Sequence, residues 1–145
     1  TKTLASFAEK AIRKRNKYDD PRRQLTDLCG ARVIVSSVDE LAPFCELIER
    51  EFVVDRNNSL DQRSLLGARE FGYRSVHYVV APPHGASGLP PGAAGRKAEI
   101  QVRTILQHAW ADIGHDRLYK RHFELPETCN RDAARVAAML EEADE

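Results

Sequence analysis

The clearest pattern in the chain is the alternation of apolar and polar side chains in KAEIQVRT, residues 97–104. Successive side chains of a β-strand point to opposite faces of its sheet, so this alternation predicts a strand. One face carries Ala98, Ile100 and Val102 and is suited to a core. The other face carries Glu99, Gln101 and Arg103, and is either a solvated surface or the floor of a polar binding site.

The remaining chain switches several times between helical and strand-like periodicity. Three further strands are predicted, in LCGARVIV, EFVVD and YRSVHYVVA. Helices are predicted for LASFAEKAIRKR, for a segment beginning near Ser37 or Asp39, for a segment from Thr104 to about Tyr119, and for a last segment from near Asn130. Residues 56–72 and 82–95 are predicted to be loops, because the first is long and polar and the second is rich in proline and glycine.

Two of the predicted helices carry capping signals. Ser37 or Asp39 can cap the second helix, and Thr104 with Gln107 forms a T-x-x-Q capping box before the third. Together the elements predict an α/β (α+β) domain, with a mixed sheet of about five strands, flanking helices and a polar sheet face.

Composition narrows the functional classes. The 145 residues include 22 basic and 22 acidic side chains, so no net charge favours nucleic acid or an anionic membrane. No apolar run approaches the roughly 20 residues that span a bilayer. Three separated cysteines without CxxC spacing fit a reducing cytoplasm. The chain begins with Thr1 and ends in EEADE, so we expect a domain excised from a longer protein.

Two acids are candidates for metal chemistry. Asp27 stands at the entrance of the strand RVIV, and Glu99 lies on the polar face of AEIQVRT. Carboxylates that converge in this way can hold a divalent cation beside nucleotide phosphates. On pattern alone, the plainer alternative is that Asp27 is a turn residue and Glu99 a solvated strand residue.

Other charged groups are less informative. The histidines His108, His115 and His122 recur every seven residues, whereas helical metal pairs favour a four-residue step, so we interpret them as packing or capping residues. A basic run could meet polyphosphate or RNA, or could simply be the solvated end of a helix. It contains Lys10, Arg13, Lys14, Arg15, Lys17, Arg22 and Arg23.

Four blocks together resemble the synthetase domain of the RelA/SpoT family. They are TDLCGARVIV, FGYRSVHYVV, AEIQVRTILQHAWADIGHDRLYK and RVAAMLEEADE, in the family's order and across nearly the whole of residues 1–145. The compact form of the second and third blocks is similar to the small stand-alone synthetases. The resemblance implies a nucleotidyltransferase-like synthetase fold, in which ATP donates its β,γ-pyrophosphate to the 3′-hydroxyl of GDP or GTP, with Mg²⁺ as cofactor.

The resemblance also implies roles for individual residues. Asp27 and Glu99 match the metal-binding and catalytic acids, with Glu99 engaging the acceptor hydroxyl. The positions that match the ATP-phosphate site are Lys2, Ser6, Lys10 and Arg32. The positions that match the acceptor-nucleotide site are Arg69, Tyr73, His77, Gln101 and Arg103, with Tyr73 stacking on the base.

The sequence departs from the long enzymes of the family in the acceptor loop. Those enzymes carry a Lys four residues before the Tyr and an Asn two residues before it, where this chain has Arg69 and Phe71. Phe71 cannot supply the hydrogen bonds that would read guanine. Three alternatives therefore stay open: a guanosine acceptor, a toxin-type enzyme with an adenosine nucleotide or tRNA 3′-end as acceptor, and a nucleotide-binding regulatory domain without turnover. A homo-oligomer and flanking domains also stay open.

Overall fold

Residues 98–104 form one strand of a five-stranded sheet in the computed structural model, which describes residues 3–67, 70–72, 74–83, 85–93, 95–114 and 127–145. The strands are β1 (Gly30–Val35), β2 (Val53–Val54), β3 (Leu60–Asp61), β4 (Val76–Ala81) and β5 (Ala98–Thr104). Their order is β1-β5-β4-β2, and β3 also pairs with β4. β2 runs antiparallel to β4, with Val53 opposite Ala81.

The described residues include five helices that accompany the sheet, so the predicted fold class is confirmed. They are α1 (Leu4–Arg13), α2 (Pro21–Gln24), α3 (Leu41–Glu51), α4 (Ile105–Gly114) and α5 (Glu127–Asp144), and short 3₁₀ turns cover Val38–Glu40 and Gln62–Leu65. The predicted continuation of α4 to Tyr119 lies outside the described residues. Within the described part of the chain, no helix has both the length and the apolar character needed to cross a bilayer.

The predicted loop over residues 56–72 is the largest error in the element assignments. It contains β3 and the second 3₁₀ turn, which Asp61 begins by accepting a hydrogen bond from the Arg63 N–H at 3.0 Å. α2 was also missed, although its signal was present in the sequence. Asp20 caps it through the Arg22 N–H, and Pro21 occupies the first helical position, where the missing N–H of a proline does no harm.

The apolar stripe of α1, formed by Leu4, Phe7, Ala8 and Ala11, does not enter a core. None of the residues of this helix is buried, and Leu4 is 82% exposed. Ser37 precedes the first 3₁₀ turn, but its side chain makes no capping hydrogen bond there. The Glu40 carboxylate binds the backbone of this turn instead, by accepting from the Ser36 N–H at 2.7 Å.

The described chain divides into two compact units. The first comprises Thr1–Arg32, Glu46–Leu60 and His77–Gln101, and the second comprises Val33–Cys45, Asp61–Val76 and Val102–Glu145. β1, β4 and β5 contribute residues to both. The core of the first unit consists of Leu25, Ile48, Tyr78, Val79, Val80 and Ile100. Three consecutive buried residues in β4 show that this strand is covered on both faces, as expected for a strand inside a sheet.

Glu49 links α3 to β4 within the first unit. Its carboxylate accepts two hydrogen bonds from the Arg56 guanidinium, at 3.0 and 2.8 Å, and one from the Tyr78 hydroxyl at 2.9 Å. These donors stabilise the charged form, so first Arg56 and then Tyr78 lower the pKa of Glu49 below its ordinary value of 4.5. A polar anchor therefore secures the helix beside the buried part of β4.

A buried polar cluster organises the second unit, and it confirms the predicted capping box. The Thr104 N–H donates to Gln107 Oε1 at 3.2 Å, and the Gln107 N–H donates to Thr104 Oγ1 at 3.1 Å. Asp144 of α5 accepts from the Thr104 hydroxyl at 2.7 Å and from the Gln107 amide at 3.1 Å. The cap thus joins the start of α4 to the last turn of α5, and these two helices also contact each other.

The described residues between β4 and β5 form a series of turns, as the proline and glycine content predicts. Gly85, Gly88, Gly92 and Gly95 all have positive φ, and a Cβ added to any of them would meet nothing within 4 Å. At the end of this segment, Lys97 Nζ lies 2.5 Å from Asp55 Oδ2. The ion pair restrains the chain just before β5.

The buried capping box gives a stability prediction. Thr104→Val keeps the shape of the side chain but removes the hydroxyl that serves both Gln107 and Asp144. We expect the free energy of unfolding, measured in urea, to fall by about 1–3 kcal/mol. The control is Ile105→Val at the next position, which is exposed and should change stability by less than about 0.5 kcal/mol. Equal losses in the two variants would contradict the role given to the hydroxyl.

The low pKa of Glu49 gives a pH prediction. A carboxyl group whose pKa is lower in the folded state stabilises the fold above its unfolded-state pKa, and this stabilisation is lost as the pH falls through the folded value. Glu49→Gln should therefore flatten the loss of stability on acidification below about pH 5. Thermal unfolding across this range measures the effect, with the exposed Glu46→Gln of the same helix as control. If the stability of wild type and of Glu49→Gln fell in parallel as the pH is lowered, the prediction would be refuted.

Candidate functional site

An open, polar cavity of about 570 Å³ lies within the first unit. Its lining combines residues from α1, from the segment before β1, from the first half of β1 and from β5. These residues are Ser6, Asp27, Gly30, Ala31, Arg32, Glu99 and Gln101. The two acids that the sequence suggested therefore share one cavity, as do two of the four residues predicted at the ATP phosphates.

Pairing of the backbone brings the two acids together. The Glu99 N–H donates to the Cys29 carbonyl at 2.9 Å, so β5 lies beside the chain two residues after Asp27. The two backbones are in close contact here, since a Cβ added to Gly30 would lie 3.4 Å from the Glu99 carbonyl oxygen. The strand alternation then directs the side chains of Glu99 and Gln101 to the same face.

The Glu99 carboxylate is held by its neighbours on that face. The Gln101 amide donates to Glu99 Oε1 at 2.6 Å, and His77 Nδ1 lies 3.6 Å from the same oxygen. The side chains of His77 and Glu99 are 19% and 22% exposed, so both are partly shielded, and Glu99 lines the cavity. Gln101 and His77 both approach the same oxygen of the carboxylate.

Asp27 faces a cation from α1. Lys10 Nζ lies 2.5 Å from Asp27 Oδ2, and both side chains are about one-fifth exposed. Ser6 and Lys10 are four residues apart on this helix, so they share a side. Thr3 fixes the start of the helix by accepting from the Ser6 N–H at 3.2 Å. α1 therefore directs a hydroxyl and an ammonium group toward the acids.

The remaining predicted site residues fall into three groups. Arg32 lines the cavity, and His77 contacts it through Glu99. Arg103 is only 2% exposed, belongs to the second unit and is not among the residues that line this cavity. Lys2, Arg69 and Tyr73 lie outside the described residues.

Sequence reasoning missed Gly30 and Ala31, which also line the cavity. Their position could have indicated this role, because both residues closely follow Asp27 in the chain and neither carries a long side chain. Small residues at the start of a strand allow a ligand or a neighbouring backbone to come close.

The residues present fit a magnesium ion of the kind that accompanies nucleotides. Mg²⁺ usually takes one or two protein carboxylates, with phosphates and waters completing an octahedron. Asp27 and Glu99 supply two carboxylates on one open cavity. Among the described residues, no group of three or more His, Cys, Asp or Glu side chains could form a cage made of protein ligands alone. Lys10 and Arg32 add the positive charge that bound phosphates require.

Comparison with known proteins finds a family model and relatives that match this chain. The family model described as a region found in RelA / SpoT proteins matches residues 1–124. GTP pyrophosphokinase YjbM of Bacillus subtilis (strain 168) is 31% identical over 147 residues, which cover 99% of this chain and 65% of that protein. The chain thus spans slightly less than two thirds of this relative.

Solved structures agree with the sequence match. The crystal structure of the small alarmone synthetase 1 from Bacillus subtilis superposes with a TM-score of 0.77 at 27% identity, covering 99% of this chain and 72% of that one. The same synthetase bound to its product pppGpp gives a TM-score of 0.75 at 27% identity, with coverage of 99% and 71%. The similarity covers both compact units.

Proposed function

The chain belongs to the RelA/SpoT family, and from that premise we propose that it is a Mg²⁺-dependent pyrophosphokinase that makes (p)ppGpp from ATP and GDP or GTP. The observation that carries the proposal is the presence of Asp27 and Glu99 on one cavity, together with cations from α1 and β1. The relative named GTP pyrophosphokinase and the synthetase bound to pppGpp support the same chemistry.

The proposed reaction moves a pyrophosphoryl group in one displacement. The 3′-oxygen of the acceptor ribose forms a bond to the β-phosphorus of ATP, the bond between this phosphorus and the α,β-bridging oxygen breaks, and AMP leaves with that oxygen. Enzymes catalyse phosphoryl transfer chiefly by positioning the groups and neutralising their charge. A base must also remove the hydroxyl proton.

Glu99 is the proposed base. Its Oε1 is occupied by the Gln101 amide and approached by His77, so this side of the carboxylate is held in place. The other oxygen can then accept the proton of the 3′-hydroxyl. A fixed carboxylate avoids the reorganisation that a freely rotating one would need during the reaction.

Lys10, Ser6 and Arg32 are the proposed ligands of the ATP phosphates. Lys10 pairs with Asp27 in the structure, so phosphate binding would exchange one anionic partner of Lys10 for another and release the Asp27 carboxylate. Lys2, which continues the four-residue spacing of Ser6 and Lys10, stays a sequence prediction. Mg²⁺, when bound by Asp27 and Glu99, would neutralise phosphate charge and orient the transferred group.

The acceptor site is the part of the proposal in which the sequence departs from the family pattern. Tyr73 is proposed to stack on the acceptor base and Arg69 to meet its phosphates. Phe71 is 47% exposed and offers no polar group to a base edge. This favours, as a second candidate, an enzyme of the same chemistry with an adenosine nucleotide or tRNA as acceptor. Roles for Arg103 at the acceptor and a cytoplasmic location stay predictions.

Substitution of the two acids tests the proposed activity. Glu99→Gln removes the base and Asp27→Asn removes a metal ligand, so each should lower turnover by roughly two to four orders of magnitude while the fold survives. Turnover of labelled ATP with GDP, GTP, ADP and uncharged tRNA is measured across a magnesium titration. The exposed acids Glu46→Gln and Asp39→Asn are the matched controls. Activity retained in folded Glu99→Gln would rule out its role as base, and a wild type inactive with every acceptor would favour a regulatory domain.

Substitutions in the acceptor loop test base selection. Tyr73→Ala removes a stacking surface and should weaken use of the native acceptor about 10-fold to 100-fold. Phe71→Asn adds a hydrogen-bonding group and should raise the ratio of GDP to ADP use. Both effects are measured as kcat/KM for GDP and for ADP. A strong GDP preference in wild type that Phe71→Asn leaves unchanged would show that guanine is read by other groups.

A further inference from the structure

Arg74 forms a partly buried ion pair with α5. Its Nη1 lies 2.7 Å from Glu141 Oε1, and the two side chains are 19% and 26% exposed. Glu145 lies further away, at 3.6 Å, and is largely exposed. The Arg74–Glu141 pair is therefore the stronger contact, and it is more shielded from solvent than an ordinary surface pair.

The residue after Arg74 is fixed to the sheet. Ser75 is fully buried, its hydroxyl donates to the Val102 carbonyl at 3.3 Å, and its own carbonyl accepts from the Gln62 N–H at 3.0 Å. Arg74 is thus held from two sides, by its side chain through α5 and by its backbone through Ser75. Tyr73 precedes it directly in the chain.

Glu141 is presented from a fixed position as well. One turn further along α5, Asp144 accepts the Thr104 and Gln107 hydrogen bonds at the start of α4. Arg74, Gln107, Glu141 and Asp144 also line one small cavity beside the buried Trp110. The last turns of α5 are therefore tied to the end of β5 and to the segment that follows Tyr73.

We propose that Glu141 acts through Arg74 as a positioning residue for acceptor binding. Gly72 and Arg74, the two residues joined to Tyr73 in the chain, both line the small cavity that Glu141 also lines. Because consecutive Cα atoms are only about 3.8 Å apart, loss of the Glu141 contact acts on the chain directly beside Tyr73. Sequence analysis predicted no residue of α5 to take part in acceptor binding. The inference rests on the proposed function, since the stacking role of Tyr73 belongs to that proposal.

A purely structural ion pair would behave differently. Its loss would lower the stability of the second unit and leave the acceptor affinity of the folded protein unchanged. A positioning role affects acceptor binding selectively, because Arg74 adjoins Tyr73 in the chain, whereas Ser6, Lys10 and Arg32, which are proposed for ATP, belong to the first unit. Separate measurements on the two substrates therefore distinguish the two roles.

The test compares Glu141→Gln with Glu142→Gln, which makes the same chemical change at an exposed neighbour on the same helix. Calorimetry measures Kd for AMPCPP with Mg²⁺, and then Kd for GDP, GTP and ADP on that complex. For the acceptor that wild type binds most tightly, Glu141→Gln should raise Kd and KM about tenfold. The AMPCPP Kd, and kcat at saturating acceptor, should stay within about twofold of wild type. Glu141→Asp keeps the charge and should recover part of the loss.

Amide exchange of the peptide covering residues 66–76 provides a readout without turnover, and we expect faster exchange in Glu141→Gln than in Glu142→Gln. Equal acceptor affinities in these two variants, or equal weakening of acceptor and AMPCPP, would overturn the inference. A wild type that binds an acceptor but does not turn it over would count against the proposed function alone, since the affinity comparison would still decide the role of Glu141. A wild type that binds no acceptor would overturn both.

Discussion

A single backbone hydrogen bond, from the Glu99 N–H to the Cys29 carbonyl, determines how the candidate site is assembled. It places the start of β5 beside the segment that carries Asp27, and the strand pleat then decides which side chains enter the cavity. Because side chains alternate along a strand, a shift of β5 by one residue would direct Ile100 toward the cavity and Glu99 away from it. The site therefore depends on the register of one strand more than on any single side-chain contact.

Local patterns were sufficient to predict much of the fold. The alternation in residues 97–104 predicted β5, which begins one residue later, at Ala98. The T-x-x-Q spacing predicted the start of α4, because a reciprocal cap requires only residues three apart. The candidate acids were also named from sequence, although only their residue types and the family resemblance singled them out. Pattern alone could not show that Asp27 and Glu99 meet, since their proximity follows from pairing between distant segments.

Several features that sequence reasoning missed depend on such distant contacts. β3 is two residues long and exists because it pairs with β4, so residues 56–72 carry no periodicity of their own. Arg103 lies on the polar side of an alternating strand, yet it is buried, because alternation predicts the direction of a side chain and not what covers it. The α1 stripe illustrates the reverse case, in which an apolar pattern remains exposed.

The turns between β4 and β5 have a consequence for how this chain can vary. Their glycines adopt left-handed conformations that other residues enter only with strain, so they resist substitution although a Cβ added there would meet nothing within 4 Å. Length is less restricted, because each doubling of a flexible loop costs only about 0.6 kcal/mol. With the chain held again at Lys97 by Asp55, inserted residues would emerge into solvent before β5 begins. Natural insertions, or an engineered reporter peptide, would be accommodated here without displacing the strand that carries Glu99.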